Sequence, residues 1–457
     1  MQIKNRTELI KNGKTPLIRK ARALALQSLE SALNAADPKL LLNSKMRLET
    51  SSLRVGDYAF DLAKFKHVYV VGGGKAGGAM AEVVEEILGS RVTAGVVNVP
   101  YGSKPKTRVV ELNEASHPVP DQAGVDGARR MMGFAEEATQ DDLVICLISG
   151  GGSSLMPLPR EGITLEDEQA LTNSLIKSGA SITEINVIRK HLSAFKGGWL
   201  AKKAYPATLV NLVLSDVVGD PLDAIASGPT VPDPSTFNDA IKVLEKYGLW
   251  LTAPVSVHLV LSEGAEGILE ETPKAGDPAF VKVNNVIIGN NRTASLAAAE
   301  CLKSEGLKTV HFDDPLDGEA SHMGKALAKF ARNIAVNGFS LPKPLALVAS
   351  GETTVTVGGT GLGGRNQELS LSAALYLKDA ENCVIASLST DGVDGPTDAA
   401  GAIVDGFTLQ RGRSWGLDAE KYLAENDSYH FFSKLGDLII TGPTGTNVND
   451  ISVIVVL

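Results

Sequence analysis

The chain lacks several features that would have assigned it quickly. No apolar run in its 457 residues approaches the roughly 18–20 needed to cross a membrane, so an integral membrane protein is not expected. Cysteine is scarce. The three present, Cys146, Cys301 and Cys383, are widely spaced, which excludes a disulfide framework, and they make no zinc pattern with histidine. They read as buried, reduced thiols. No basic block occurs and the net charge is −9, which argues against nucleic acid and anionic membranes but leaves room for a locally basic site. Residues 1–20 are basic and polar without an apolar centre, so no secretory signal is expected and the cytoplasm is the expected location. A Walker loop is missing, since Glu8 stands where the glycine upstream of Gly13-Lys14-Thr15 belongs. A G-x-S-x-G elbow is missing too, which leaves a hydrolase triad without support. There is no repeat of fixed period and no low-complexity segment.

What remains is a globular composition, 44% apolar and 21% charged, on a chain too long for one ordinary core. Residues 15–35 carry a helical stripe. Strand-like runs then alternate with helical patterns. Val68–Val71, Gly95–Val99, Leu143–Ile148 and Leu209–Leu214 read as strands, and Ala76–Leu88, Val125–Ala138, Leu165–Ser178 and Glu184–Lys203 as helices. The rhythm fades across Asp233–Asp277, where Pro-Asp-Pro and Ala-Gly-Asp-Pro predict a linker or hinge. It resumes from Val281 to the closing run Ile451–Val456. The pattern predicts an α/β fold with two domains, largely parallel sheets and flanking helices. The expected divisions are 1–240, a hinge over 241–280, and 281–457.

Three glycine-rich loops follow such strands. The first, Gly72 to Gly78, contains Gly73, Gly74 and Lys75. The second contains Ser149, Gly150, Gly151, Gly152, Ser153 and Ser154. The third runs from Gly358 to Arg365 and Asn366. Glycine lets backbone N–H groups approach an anion, and a following helix adds positive potential. Lys75 and Arg365 add cations, so phosphate and carboxylate binding is expected. The first loop satisfies G-x-G-x-x-G, but its next strand ends Val96-Val97-Asn98-Val99-Pro100 without the acid that holds a ribose. Lys75 therefore reads better as a direct partner of an anion than as part of a dinucleotide site. A plain strand-to-helix turn is the structural alternative for the second loop.

Other residues join these loops. Ser181 with Glu184 makes a capping box, and Arg189, Ser193 and Lys196 share a helical face, either solvated or anion-binding. Asp216 and Asp220, with Asp223 beyond, follow a strand, where carboxylates either hold Mg²⁺ beside phosphates or cap turns. Glu352 and Asp391 also follow strands, and His117 sits in the Pro-rich Ser116–Asp121 loop. Arg365 opens a helix, where its planar guanidinium suits a bidentate carboxylate or phosphate.

Taken together, these motifs resemble class II glycerate kinases, the glycerate 2-kinase family whose C-terminal part is called MOFRL. The likeness rests on Val70–Ala76, Ser116–Asp121, Ser149–Leu155, Glu184–Ser193, Asp216–Pro229, Gly363–Glu368, Thr390–Gly401 and Thr441–Asp450. It implies two α/β domains with the active site in the cleft between them. It implies ATP as co-substrate, Mg²⁺ or another divalent cation, D-glycerate as acceptor and 2-phosphoglycerate as product. The family's implicated lysine falls on Lys75 and its arginine on Arg365. A homodimer stays open. Two other readings remain beside it: an NAD(P)-dependent hydroxypyruvate reductase, a label some members have carried, and a non-catalytic sensor of a phosphorylated acid.

Overall fold

The computed structural model describes residues 1–336 and 342–457. They form two units, one of residues 41–288 and one of residues 1–40 together with 289–457. This division differs from the expected one at both ends of the first domain.

In the unit 41–288, β1 (Met46–Glu49), β2 (Ser52–Val55) and β3 (Tyr58–Asp61) make an antiparallel meander. The main sheet holds β4 (His67–Gly73), β5 (Ala94–Pro100), β6 (Val110–Ala115), β7 (Asp142–Ile148), β8 (Thr208–Leu214) and β9 (Val283–Gly289). Its order is β6-β5-β4-β7-β8-β9, with β4–β5, β5–β6, β4–β7 and β7–β8 all parallel. The chain steps outward from β4 to β6 and then returns to β7 on the other side of β4. Successive elements therefore diverge at the C-terminal ends of β4 and β7, the switch point at which open α/β sheets bind ligands. Val71, Val144, Cys146 and Ile148 bury their side chains with Met131, Phe195 and Leu200.

The expected hinge over 241–280 is instead part of a helical cluster. Helices Leu165–Lys177, Ile182–His191, Phe237–Lys246 and Val255–Ala265 share a core of Leu171, Ile185, Phe237, Leu244, Val257 and Leu261. The turn residues of this region punctuate helix starts rather than open a linker. Thr236 caps Phe237–Lys246 in a capping box with Asp239, and Pro254 stands at the cap position of Val255–Ala265. A second correction concerns 184–203, which is two helices, Ile182–His191 and Trp199–Ala204. Between them Gly197 and Gly198 have φ of 58° and 87°, and their amides donate to Ser227 O at 2.9 Å and Gly228 O at 2.7 Å.

The second unit has a sheet of β10 (Lys308–His311), β11 (Leu345–Gly351), β12 (Cys383–Ser389), β13 (Gly401–Asp405), β14 (Leu438–Ile439) and β15 (Asp450–Val456). Its order is β10-β11-β15-β12-β13-β14. Among the named strand pairs of the described residues only β10–β11 is parallel; β15 enters antiparallel between β11 and β12, and β13 and β14 continue antiparallel. This sheet is thus mixed rather than largely parallel. Leu345, Leu347, Cys383, Ile385, Ile454 and Val456 share a core with helices Ala320–Ala335 and Arg365–Tyr376. Helix Pro16–Ala35 packs on helix Asn291–Ser304 and on β12 and β15, which is why the N-terminal segment belongs to this unit.

Candidate functional site

At the switch point of the parallel sheet the first two glycine loops pack against each other. Gly74 N donates to Asn98 O at 3.1 Å, Lys75 N to Gly150 O at 2.8 Å, and Ala76 N to Ser149 Oγ at 3.0 Å. These three amides of the first loop are therefore committed within the protein. Its glycines permit close approach: a Cβ at Gly73 would lie 2.9 Å from Met156 Cγ, and one at Gly74 would meet Ser149. The second loop differs. Gly152 N donates to Ser149 O at 3.1 Å, but the amides of Gly150, Gly151 and Ser153 donate to no acceptor among the described residues. A Cβ at Gly151 would lie 2.8 Å from His117 Cδ2 and 3.6 Å from Lys75 Cγ. Lys75, His117 and the second loop thus converge, as the spacing of their motifs could not show.

Two residues not singled out from the sequence support this loop. Ser153 Oγ lies 2.9 Å from Ser227 Oγ, which also donates to Asn186 Oδ1 at 3.1 Å. Ala226 and Ser227 have left-handed φ of 49° and 60°, a conformation that costs energy in non-glycine residues and clusters at functional sites. Arg189 lies one turn beyond Asn186 on helix Ile182–His191. Lys196 is buried, with Nζ 3.3 Å from Met156 O and 3.7 Å from Glu168 Oε1. Burial holds both cations below their ordinary pKa.

Asp216 follows β8 by two residues. Asp220 sits at a left-handed turn, φ 55°, with its amide 3.1 Å from Val217 O. Among the described residues no group of three or more His, Cys, Asp or Glu side chains is arranged to hold a metal ion.

The other predicted residues lie in the second unit. Arg365 opens its helix and binds two carboxylates. Nε and Nη2 donate to Asp450 Oδ2 and Oδ1 at 2.6 and 3.0 Å, and Nη1 donates to Glu352 Oε1 at 2.5 Å. Burial pushes the Asp450 carboxyl up to about 7, with Arg365 pulling the other way. Burial opposes the Arg365 charge, yet Asp450 and Glu352 hold it above its ordinary value. The helix start itself is taken by Asp394, which accepts from Asn366 N at 3.0 Å and Gln367 N at 2.8 Å. Burial raises the Asp394 pKa against those hydrogen bonds. Asn366 also accepts from Ser387 Oγ at 2.6 Å. Asp391 accepts from Ser389 Oγ at 2.9 Å and Val393 N at 3.0 Å.

Part of the third glycine loop is likewise committed. Gly358 and Gly359 amides donate to Asn426 Oδ1 at 2.9 and 3.0 Å, Gly361 N to Glu425 O at 2.9 Å, and Leu362 N to Asp427 Oδ1 at 3.0 Å. These four amides fasten residues 425–427.

Comparison with known proteins bears on both units. Residues 24–262 match the family described as "Domain of unknown function (DUF4147)", and residues 345–450 match the MOFRL family. A D-glycerate 2-kinase of Thermotoga maritima is 46% identical over 385 residues, covering 84% of this chain and 89% of its own. A protein of Agrobacterium vitis named putative hydroxypyruvate reductase is 39% identical over 461 residues, covering 100% of each chain. The crystal structure of glycerate kinase from Thermotoga maritima matches with a TM-score of 0.84 at 42% identity, covering 95% of this chain and 99% of that one.

Proposed function

The chain belongs to the MOFRL-containing glycerate 2-kinase family, and from that premise we propose that it transfers the γ-phosphoryl group of ATP to the 2-hydroxyl of D-glycerate. The products are 2-phosphoglycerate and ADP. The observation that carries the reading is the meeting of Lys75, His117 and the uncommitted amides of Gly150, Gly151 and Ser153 at the sheet's switch point. Phosphoryl transfer passes through a loose transition state, so positioning and charge neutralisation supply most of the catalysis. The three amides bind phosphate oxygens as neutral donors, while the Ser153 hydroxyl, donating to Ser227 Oγ, holds the loop in place. Lys75 sits against that loop and neutralises charge that grows on the transferring group. His117 packs on Gly151 and orients the acceptor or the phosphoryl oxygens. In the second unit Arg365 is fixed at its helix start by Glu352 and Asp450, with Asn366 next to it in the chain.

The kinase reaction calls for a divalent cation, and Mg²⁺ uses one or two carboxylates together with phosphate oxygens rather than an all-protein cage. Asp216, two residues beyond β8, and Asp220, at a left-handed turn, are the carboxylates that would hold it. When bound, such an ion neutralises phosphate charge. The three unpaired cysteines fit the reducing cytoplasm, where ATP is at hand.

The reductase reading lacks its ribose anchor. At the end of β5 the buried Asn98 side chain donates to Gly124 O at 2.9 Å and Leu155 O at 2.6 Å, and no carboxylate follows. Phosphorus NMR of the protein with Mg·ATP and D-glycerate tests the proposal. A 2-phosphoglycerate signal rising with ADP is expected. A 3-phosphoglycerate signal overturns the position of transfer, and NADH oxidation with hydroxypyruvate in place of transfer overturns the kinase. Lys75→Ala is expected to lower kcat by about two to four orders of magnitude, as loss of a transition-state donor does. Normal turnover in the folded variant refutes the role of Lys75.

A further inference from the structure

We propose that Arg189, backed by Lys196, binds the carboxylate of the acceptor, an inference that rests on the kinase reading above. Arg365 was the expected carboxylate clamp, but Asp450 already takes it bidentately and Glu352 takes another of its donors. Arg189 is in the opposite state. Its side chain is half-buried, and its guanidinium makes no hydrogen bond or ion pair among the described residues. A planar fork of donors partly removed from water and left unbonded is costly unless an anion completes it.

The surroundings fit a single carboxylate. Lys196 is 1% exposed, and the only carboxylate within ion-pair reach of it among the described residues is Glu168, itself 5% exposed. The second oxygen of Glu168, Oε2, is buried without a hydrogen-bond partner. Arg189 also feels the Glu168 charge. Two cations against one carboxylate leave one net positive charge. That matches a monoanion such as a 2-hydroxy acid, not a triphosphate with several charges. The triphosphate has the amides of Gly150, Gly151 and Ser153 instead. Arg189 is also tied to that loop: Asn186, one turn earlier on the same helix, accepts from Ser227, which lies against Ser153. An acceptor held by Arg189 would be held by the element that supports the phosphate loop.

Initial rates and calorimetric titration of D-glycerate, on the full chain, test this. Arg189→Gln is expected to raise KM for D-glycerate about 10- to 100-fold, the size of lost charge-assisted hydrogen bonds, while KM for ATP stays within about twofold. Arg189→Lys should recover part of the loss. Glu168→Gln removes the opposing charge and should lower KM for D-glycerate a few-fold, a direction that simple loosening of the structure does not produce. The neutral amide, glyceramide, should be a poor acceptor for the wild type, and Arg189→Gln should erase that preference. Unfolding midpoints in urea check that the variants fold, and Arg189→Lys serves if the glutamine variant does not. An unchanged KM for D-glycerate, or a shift confined to ATP, overturns the proposal while leaving the kinase intact. A wild type that transfers nothing to D-glycerate overturns the kinase reading itself.

Discussion

Arg365 was legible in the sequence as a cation at a helix start; its partners were not, because Asp450 lies 85 residues further on. That partnership makes a pH prediction. Burial raises the Asp450 carboxyl to about 7, while the unfolded chain titrates near about 4. The folded state therefore holds the proton more tightly. The stability this group contributes is complete below about pH 4, is lost as pH rises, and levels off once the folded group has ionised above about 7. Arg365 pulls the value down. Without it only burial and neighbouring acids act, and the loss extends to higher pH. Urea unfolding of Arg365→Ala should show stability still falling between pH 7 and 9, by up to about 1.4 kcal/mol per pH unit, where the wild-type contribution from this group has levelled. Parallel curves for the two proteins over that range would refute the coupling.

At the scale of elements, strands were the most legible features. β4, β7, β8 and β15 are short apolar runs closed by glycine or polar residues, and such runs announce themselves. Breaks inside helical patterns were harder. Residues 184–203 carry a nearly unbroken apolar periodicity, and only Gly197-Gly198 signals that the chain turns. The pair turns because its amides reach the backbone of 227–228, a partner some 30 residues away. Residues 233–277 failed in the opposite sense: their prolines looked like a linker, yet helices with buried Phe237, Leu244 and Val257 lie between them. The third glycine loop shows the same limit. Its composition invited an anion, whereas Asn426 and Asp427 satisfy amides along it. The break itself is testable. Gly198 has φ 87°, and a Cβ there would lie 2.9 Å from both Phe280 Cζ and Val231 O. Gly198→Ala should cost about 1–3 kcal/mol in urea unfolding, from backbone strain alone or with displacement of Phe280. Because the same turn is bonded to Ser227, KM for the substrates should rise with it. A variant with wild-type stability would mean that the turn is not strained by a side chain.

Across the whole molecule, the alternation of strands and helices predicted the α/β class, but pairing between distant segments decided the rest. The sheet joins β11 to β12 only through β15, a strand some 60 residues further along the chain, so its order cannot be read from neighbouring segments. The membership of residues 1–40 is the same kind of fact. Helix Pro16–Ala35 looked like a preface to the first domain, yet Arg22 on it is fully buried and bonded to residues 383 and 415 positions later. Its guanidinium donates to Asp405 Oδ2 at 2.7 Å and Asp437 Oδ1 at 2.8 Å, and to Leu9 O at 2.9 Å. Burial opposes ionisation of Asp437, but Arg22 and Arg411 hold its carboxyl below the usual range. Removing the arginine leaves Asp405 and Asp437 in the interior with half their compensation gone, which costs far more than the intact pair contributes. Arg22→Met should therefore lose about 3–5 kcal/mol. Adding Asp405→Asn should return part of it by removing one stranded charge, so the two changes will not be additive. Hydrogen exchange measured by mass spectrometry locates the effect. Faster exchange in Arg22→Met should map to residues 1–40 and 289–457, the unit that this side chain joins, with residues 41–288 near wild type. Faster exchange confined to 41–288 would instead assign the N-terminal helix to the other unit and undo the division described above.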